Sequence, residues 1–220
     1  MKVIISGYGR MGHMIEKVLS RQGIELAAAT EDVCATPPEL AAECVCIDFT
    51  FPQSFRANYK FLADNFKAVV VGTTGWDDIK DEVIGYFQHK GTPMIYASNF
   101  SIGVNALFAA VSRTASILKG HGYEPSIEEV HHIHKLDAPS GTAKSLAALV
   151  KDAIDDEVPI SAKREGEVAG IHTVNFTSTV DKLTFTHEAF SREGFAVGAV
   201  YAAQMTEEIR GVHEFKDLIL

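Results

Sequence analysis

Three histidines and a lysine are concentrated in one short segment of this chain, at His131, His132, His134 and Lys135. The sequence as a whole is acidic, with 29 acidic against 20 basic side chains. Such a protein repels an anionic ligand at long range, so a site for an anion must gather cations locally. Imidazole also titrates near neutral pH and can act as a general acid. The segment therefore predicts an anion-binding site that can transfer a proton.

A helix is predicted to begin directly after this cluster, at Ser140. Serine is a favoured N-cap residue, and the N–H groups of Gly141 and Thr142 would have no acceptor inside the helix. Unpaired N–H groups at the positive end of a helix dipole bind carboxylates. Together with the nearby cations, this helix start predicts a carboxylate site.

Metal binding is an alternative interpretation of the histidines. His132 and His134 are two residues apart and would share one face of a strand, which is feasible ligand geometry. However, the ammonium group of Lys135 disfavours a divalent cation beside it, and no cysteine or carboxylate has a clear partner spacing. We therefore expect no metal at this position.

A second candidate site lies at the start of the chain, where an apolar run is followed by Gly7-Tyr8-Gly9-Arg10-Met11-Gly12 and then a helical pattern. G-x-G-x-x-G in this context is typical of a dinucleotide-binding loop, because glycines allow a tight turn and a close approach to pyrophosphate. Glu31 ends the second apolar run, where an acidic side chain accepts the ribose 2′-hydroxyl. Neither Lys nor Arg follows closely to hold a 2′-phosphate. The predicted cofactor is NADH or NADPH, with a preference for NADH.

The first hundred residues alternate between strand and helix patterns. Short apolar runs are separated by helical patterns at 11–22, 52–65 and 76–90, with room for only a short helix in 31–43; the runs occupy 3–5, 26–29, 45–47, 69–71 and 94–96. Runs of this kind are typical of parallel strands that are covered on both faces. The prediction is a Rossmann-type, doubly wound parallel sheet of the α/β class.

The pattern changes after Asn99. Successive segments predict a helix, a strand, a helix, a hairpin with Asp181-Lys182 at its tip, and a final helix; they occupy 102–118, 126–134, 140–153, 171–187 and 195–209. Strands that follow one another without crossover helices indicate a smaller α+β domain with a mixed or antiparallel sheet.

Composition and charge exclude several classes of function. No apolar run approaches the ~18–20 residues of a membrane span, and the N-terminal run is too short for a secretory segment. The net charge of −9 argues against nucleic acid as a partner. The three cysteines form no CxxC pair, as is usual in a reducing compartment. We expect a cytoplasmic protein whose partner is a small anionic molecule.

Blocks of residues from 7 to about 199 resemble dihydrodipicolinate reductases of bacterial lysine synthesis. The blocks are the glycine loop, Asp48-Phe49-Thr50, Gly72-Thr73-Thr74-Gly75, Asn99-Phe100-Ser101-Ile102-Gly103-Val104-Asn105, the segment from His131 to Ala143, and Arg192 with Phe195-Ala196-Val197-Gly198-Ala199. The histidine–lysine block with its following Gly-Thr is the most specific of them. Departures from the family pattern are Ile133 in place of a frequent arginine, Ser98 in place of a common proline, and Met205 near a usual tryptophan.

The resemblance implies reduction of 4-hydroxy-tetrahydrodipicolinate (dihydrodipicolinate) to tetrahydrodipicolinate by NAD(P)H. It implies His131 as the proton donor and Lys135 as the main cationic partner. The substrate-binding residues would be His132, Ser140, Gly141 and Thr142. Besides the glycine loop, the cofactor-binding residues would be Glu31, Gly72, Thr74, Ser98, Asn99, Phe100, Arg192 and Phe195.

The resemblance also implies a dinucleotide-binding domain of residues 1–102 and 193–220. Residues 103–192 would then form a substrate-binding and oligomerisation domain that assembles a homotetramer. Two alternatives remain open at this point. An aspartate- or homoserine-type dehydrogenase would share the two-domain layout but leaves the histidine–lysine cluster unexplained. A redox-sensing nucleotide binder would bind the cofactor without turnover.

Overall fold

The computed structural model describes residues 1–220. The strands are β1 (Lys2–Ser6), β2 (Glu25–Thr30), β3 (Cys44–Asp48), β4 (Ala68–Val71), β5 (Met94–Tyr96), β6 (Glu124–His131), β7 (Ile160–Arg164), β8 (Gly170–Thr177), β9 (Lys182–Ala189) and β10 (Val212–Glu214). The α-helices are α1 (Arg10–Arg21), α2 (Pro38–Ala41), α3 (Pro52–Asn65), α4 (Lys80–Lys90), α5 (Ile102–Leu118), α6 (Gly141–Ile154), α7 (Glu193–Met205) and α8 (Phe215–Ile219).

The chain divides into two compact units. The first comprises Met1–Ile102 and Glu193–Leu220, and the second comprises Gly103–Arg192. None of the helices combines the length and the hydrophobicity that a membrane-spanning helix requires.

The first unit is built on a parallel sheet of six strands in the order β10-β5-β4-β3-β1-β2. β3 and β4 are buried along their whole length, so the sheet separates two apolar layers. On one side α1 and α7 pack against side chains such as Ile5, Val45 and Val70. On the other side α3 and α4 pack against Ile4, Cys46 and Val69. Because helices cover both faces of the sheet, side chains that point to either face are apolar. The central strands therefore appear in the sequence as continuous apolar runs.

The second unit contains a mixed sheet in the order β7-β6-β8-β9, in which only the β6–β7 pair is parallel. One face of the sheet packs on α5 and α6 through Ile127, Val174 and Phe176. Because side chains alternate along a strand, Glu129 and His131 lie on this same face. The opposite face is more open and carries polar side chains such as Glu128, Thr173 and Thr186. Both parts of the predicted fold class are therefore confirmed.

Local departures from the predicted elements have physical causes. β6 ends at His131 and not at residue 134, because the chain turns there and the Lys135 N–H donates to the His132 carbonyl over 3.1 Å. The hairpin turn precedes Lys182, which already belongs to β9. α4 begins only at Lys80, after a short 3₁₀ turn. β7 and β10 had no prediction, because neither has a distinct apolar or alternating pattern.

Candidate active site

Three glycines of the first loop meet different structural demands. Gly7 has φ of +87°, and a β-carbon there would lie 2.8 Å from the carbonyl carbon of Phe49. A β-carbon at Gly12 would lie 2.5 Å from the Gly7 carbonyl oxygen, so the helix start packs against the loop. At Gly9, by contrast, a β-carbon would meet nothing within 4 Å. The protein does not itself need a glycine at Gly9, and the space before it fits the close approach of a pyrophosphate.

Glu31 lies beside this loop, as its position after β2 predicts. Its carboxylate accepts a hydrogen bond of 2.6 Å from the backbone N–H of Tyr8. Asp32 follows, exposed, and its side chain accepts from the N–H of Cys34 over 3.2 Å. Two exposed acidic side chains thus stand at the end of β2.

A buried carboxylate connects the loops that follow β1, β3 and β4. Asp48 is fully buried and accepts hydrogen bonds from the hydroxyls of Ser6, Thr50 and Thr73 at 2.8, 3.0 and 2.6 Å. Burial raises the pKa of Asp48, and the three hydroxyl donors oppose that effect. The Thr73 hydroxyl also accepts from the Thr50 N–H over 2.7 Å, which fixes its own proton on Asp48. This network holds the loops at the carboxyl edge of the sheet, where dinucleotides bind in such folds.

The predicted cofactor residues after β4 and β5 fall into two groups. Thr74 and Ser98 are exposed and line a cleft with Trp76, Lys80 and Tyr96. The other two residues pack against the protein itself. A β-carbon at Gly72 would overlap the ring of Phe49. Phe100 is buried against Phe215, with ring centroids 5.0 Å apart, so only its backbone could face a ligand.

Three further predicted cofactor residues lie near the boundaries between the two units. The Asn99 side chain accepts from the Ser101 N–H over 2.8 Å and shapes the turn before α5. Phe195 is half-buried in the first turns of α7, within the first unit. Arg192 is exposed and is the last residue of the second unit.

In the second unit, His131 is anchored by a carboxylate on its own strand. Nδ1 of His131 makes a hydrogen bond with Glu129, two residues earlier on the same face of β6. His131 is only 8% exposed and Glu129 is 0% exposed. Burial lowers the pKa of His131, and Glu129 partly offsets that effect. Since Nδ1 is engaged, Nε2 is the ring nitrogen left to exchange a proton.

Glu129 is the centre of a hydrogen-bond network. Its second oxygen accepts from the Arg164 guanidinium at 3.0 Å and from the Ser140 N–H at 3.1 Å. Burial favours the neutral acid, but these donors together with His131 lower the pKa of Glu129, so the carboxylate is ionised at neutral pH. Arg164 also donates to the carbonyl of Asp137 over 2.6 Å and thereby holds the segment after His131.

His172 completes this network from β8. Its Nε2 lies 3.1 Å from the Ser140 hydroxyl, and its ring stacks edge-on against His131 at 5.1 Å. Burial, followed by the proximity of His131, lowers the pKa of His172 to about 4. His172 is therefore neutral across the physiological pH range, and it packs as a neutral ring beside His131.

Lys135 stands at the edge of the same network. Its ammonium group bonds the Asp137 carboxylate at 2.7 and 3.0 Å, and this lysine lowers the pKa of Asp137. His132 and His134 follow β6 in the turn, with ring centroids 5.9 Å apart, and His134 lies 3.0 Å from Glu167. The two histidines do not share a strand face, so that basis for a metal site is wrong.

The start of α6 has the predicted N-cap. The Ser140 hydroxyl accepts a hydrogen bond from the Ala143 N–H at 3.2 Å. The first hydrogen bond of the helix runs from the Lys144 N–H to the Ser140 carbonyl. The N–H groups of Gly141 and Thr142 therefore have no acceptor in the helix. Ser140 itself is only 2% exposed, and both its N–H and its hydroxyl are engaged inside the protein. It holds the helix start, and the next two residues present their N–H groups.

No role was predicted for Glu129, Arg164 or His172. Glu129 had a local signal, since a carboxylate two residues before a histidine shares its strand face. Arg164 and His172 had none, because pairing of β7 and β8 with β6 brings them in from distant sequence. Glu129, His131 and His172 could in principle hold a metal ion. However, the guanidinium of Arg164 already supplies the positive charge that Glu129 requires.

A Rossmann-type sheet in one unit, together with a cluster of histidines, a lysine and an open helix start in the other, indicates the class: this is a nicotinamide-dependent oxidoreductase fold. Family models confirm and sharpen that class. Residues 1–100 match the N-terminal domain of dihydrodipicolinate reductase, and residues 103–219 match its C-terminal domain. The chain belongs to the dihydrodipicolinate reductase family and is one of its NAD(P)H-dependent enzymes.

Individual relatives agree with this assignment. The 4-hydroxy-tetrahydrodipicolinate reductase of Christiangramia forsetii is 38% identical, over 100% of this chain and 98% of that protein. A dipicolinate-bound dihydrodipicolinate reductase from Paenisporosarcina sp. TG-14 has a TM-score of 0.82 at 22% identity, covering 100% of this chain and 99% of the other. Aspartate dehydrogenase from Thermotoga maritima, at 13% identity over 95% of this chain and 97% of the other, has a TM-score of 0.53. The alternative dehydrogenase class therefore shares the fold alone.

Proposed function

We propose that this chain reduces 4-hydroxy-tetrahydrodipicolinate to tetrahydrodipicolinate in the diaminopimelate route to lysine, with NADH as its preferred hydride donor. The observation that carries the proposal is the arrangement of residues 129–142. A nearly buried histidine with one free ring nitrogen, a lysine and an open helix start are gathered in one segment of an otherwise acidic protein. This set matches the demands of a ring with two carboxylates that must gain a proton.

The two substrate carboxylates would be held by different kinds of group. The N–H groups of Gly141 and Thr142 suit one carboxylate, because a helix start offers unpaired donors and a favourable dipole. Lys135 and His132 suit the other. Lys135 is bound to Asp137 in this structure, so a substrate carboxylate must compete for the ammonium group. Ile133, where the family often has arginine, is 60% exposed and adds no charge.

His131 would supply the proton. Loss of the 4-hydroxyl group as water first gives the unsaturated ring of dihydrodipicolinate. A bound nicotinamide would then supply the hydride, and the negative charge left on the ring would be neutralised by a proton. Burial lowers the pKa of His131, so the ring is largely neutral before substrate binds. Two carboxylates placed beside it would raise that pKa and load a proton on Nε2. Ionised Glu129 behind Nδ1 stabilises the imidazolium until the proton is delivered.

The preference for NADH rests on the end of β2. Glu31 reaches the glycine loop through its hydrogen bond with the Tyr8 N–H, and Asp32 adds a second negative charge. A carboxylate in this position accepts hydrogen bonds from ribose hydroxyls, whereas a 2′-phosphate requires a cation. No Lys or Arg lies in the sequence between Glu31 and Arg56.

We also propose that the enzyme acts as a homotetramer, as the family resemblance implies. The face of the second sheet opposite α5 and α6 supports this idea. Paired threonines, Thr173 and Thr186, bridge β8 and β9 on that face, with their hydroxyls 3.1 Å apart. An open sheet face of this kind can pack on the same face of a second copy. Mass measurement in solution tests this proposal separately from activity.

A coupled assay tests the proposed reaction. The preceding synthase of the route condenses pyruvate and aspartate semialdehyde to supply the substrate. NADH or NADPH is then added, and oxidation of the cofactor is followed as the loss of its absorbance. We expect oxidation of both cofactors, with the higher kcat/KM for NADH. His131→Gln should lower kcat about 10²–10⁴-fold with little change in KM. Full turnover by His131→Gln, or no oxidation by the unmodified chain, would contradict the proposal.

A further inference from the structure

We propose that Glu129 is a positioning residue for the proton donor: it fixes the proton of neutral His131 on Nδ1, keeps Nε2 free for the substrate, and stabilises the protonated ring. This inference rests on the proposed function for its kinetic consequences. Its structural part concerns only the relation between Glu129 and His131.

The backbone places the two side chains together with little freedom. Residues 129 and 131 stand two apart on β6, so both point to the covered face of the sheet. Pairing on both sides of β6 fixes this register, since Glu129 lies opposite Ala162 of β7 and His172 of β8. The Glu129–His131 contact is therefore set by strand geometry and does not require a flexible loop.

The protonation states follow from the partners. Arg164 and the Ser140 N–H both donate to one oxygen of Glu129, at 3.0 and 3.1 Å, which keeps the group an ionised acceptor. An ionised carboxylate can only accept a hydrogen bond, so Nδ1 of His131 must carry a proton. In the neutral imidazole the other nitrogen, Nε2, is then the unprotonated one. The substrate-facing nitrogen is thus ready to receive and return a proton.

Each strand around His131 contributes a titratable or charged group. These groups are Glu129 on β6, Lys135 in the turn after β6, Arg164 on β7, His172 on β8, and His187 on β9 behind His172. Lys135 and Arg164 oppose protonation of His131, and burial lowers the pKa of His187, which leaves that ring neutral near pH 7. Glu129 is the only negative member of the set, so the imidazolium depends on it.

Replacement of Glu129 by glutamine keeps the shape of the side chain but removes its charge. The pKa of His131 should then fall by about one unit or more. A proton donor must be protonated, and activity is lost as pH rises through its pKa. The basic limb of the pH profile for kcat/KM should therefore move to lower pH by about one unit in Glu129→Gln. Glu129→Asp, which retains the charge, should keep the limb near its original position even if kcat falls.

The matched control is Glu128→Gln. It removes the same charge from the preceding residue, whose side chain is exposed on the opposite face of β6. Its profile should not change. A role for Glu129 in stability alone predicts a lower rate at every pH with the limb unmoved, and that result would overturn the proposal.

A second measurement needs no substrate and separates this inference from the proposed reaction. Exchange of the imidazole C2 hydrogen with deuterium, followed by mass spectrometry, reports the pKa of each histidine in the free protein. The midpoint for His131 should fall in Glu129→Gln and stay in place in Glu128→Gln. If the midpoint does not move, Glu129 does not control His131, whatever the enzyme reduces. If it moves while no reduction occurs, the proposed function fails and the Glu129–His131 relation stands.

Discussion

Gly170 lies against His131, so closely that a β-carbon on the glycine would stand 3.0 Å from Nε2 of the histidine. The φ of Gly170 is +156°, which L-residues rarely adopt. Gly170 belongs to β8, the strand that pairs with β6. The glycine therefore leaves room for the nitrogen that we assign to proton transfer.

Gly170→Ala should displace the imidazole of His131 by a few tenths of an ångström. A shift of that size should lower kcat by about tenfold, because proton transfer depends steeply on position. Affinity for pyridine-2,6-dicarboxylate, a flat mimic of the substrate, should change less, since we propose that its carboxylates contact the start of α6 and Lys135 and not the His131 ring itself. Gly122→Ala is the control, because Gly122 also has positive φ, +73°, but a β-carbon there would meet nothing within 4 Å. Equal kinetic losses in the two variants would argue against the steric explanation.

Asp137→Asn should strengthen binding of the dicarboxylate. Asp137 forms an ion pair with the ammonium group of Lys135. Because the Asp137 side chain is 56% exposed, this ion pair is weak and easily screened by salt. Removing the competing carboxylate should tighten binding about two- to fivefold at low salt, and the gain should vanish in concentrated salt. Lys135→Ala should weaken binding of the dicarboxylate and should also lower kcat. Titration calorimetry measures both effects; unchanged affinity in Asp137→Asn would mean that Lys135 does not contact the ligand.

Binding of the dicarboxylate should be linked to uptake of a proton by His131. Burial lowers the pKa of His131 in the free protein, and the ligand's negative charges should raise it. Between the two pKa values, binding takes up a proton, so affinity should increase as pH falls through that window. Calorimetry in buffers of different ionisation enthalpy counts the protons taken up. His131→Gln should abolish the uptake, and a count of zero in the unmodified protein would refute the linkage.

Asp48→Asn should destabilise the first unit although it removes a buried charge. Ser6, Thr50 and Thr73 all donate to the carboxylate, and an amide presents only one oxygen to them. The unsatisfied donors should lower the free energy of unfolding by about 1–3 kcal/mol, as measured by urea denaturation. Asp77→Asn, at an exposed position, serves as the control. Stability equal to that of the unmodified protein would show that the network contributes nothing.

Local sequence signals predicted much of the fold and part of the site. Apolar runs located β1 to β5, and burial on both faces explains the continuous runs of the central strands β3 and β4. The structural positions of Gly7 and Ser140 could be predicted from the sequence, because a tight turn and a helix N-cap depend on a few adjacent residues. β7 was not predicted. Its three central residues are exposed, so the strand has no clear hydrophobic periodicity.

The sequence by itself determined the glycine loop, the cationic segment and the start of α6, because each is encoded within a few consecutive residues. Only the tertiary structure decided how His131 is held. Arg164 and His172 lie 33 and 41 residues beyond it in the chain, and they reach it only because β7 and β8 pair with opposite edges of β6. Strand pairing depends on long-range packing and not on neighbouring residues, so the protonation chemistry of His131 becomes visible only in the folded sheet.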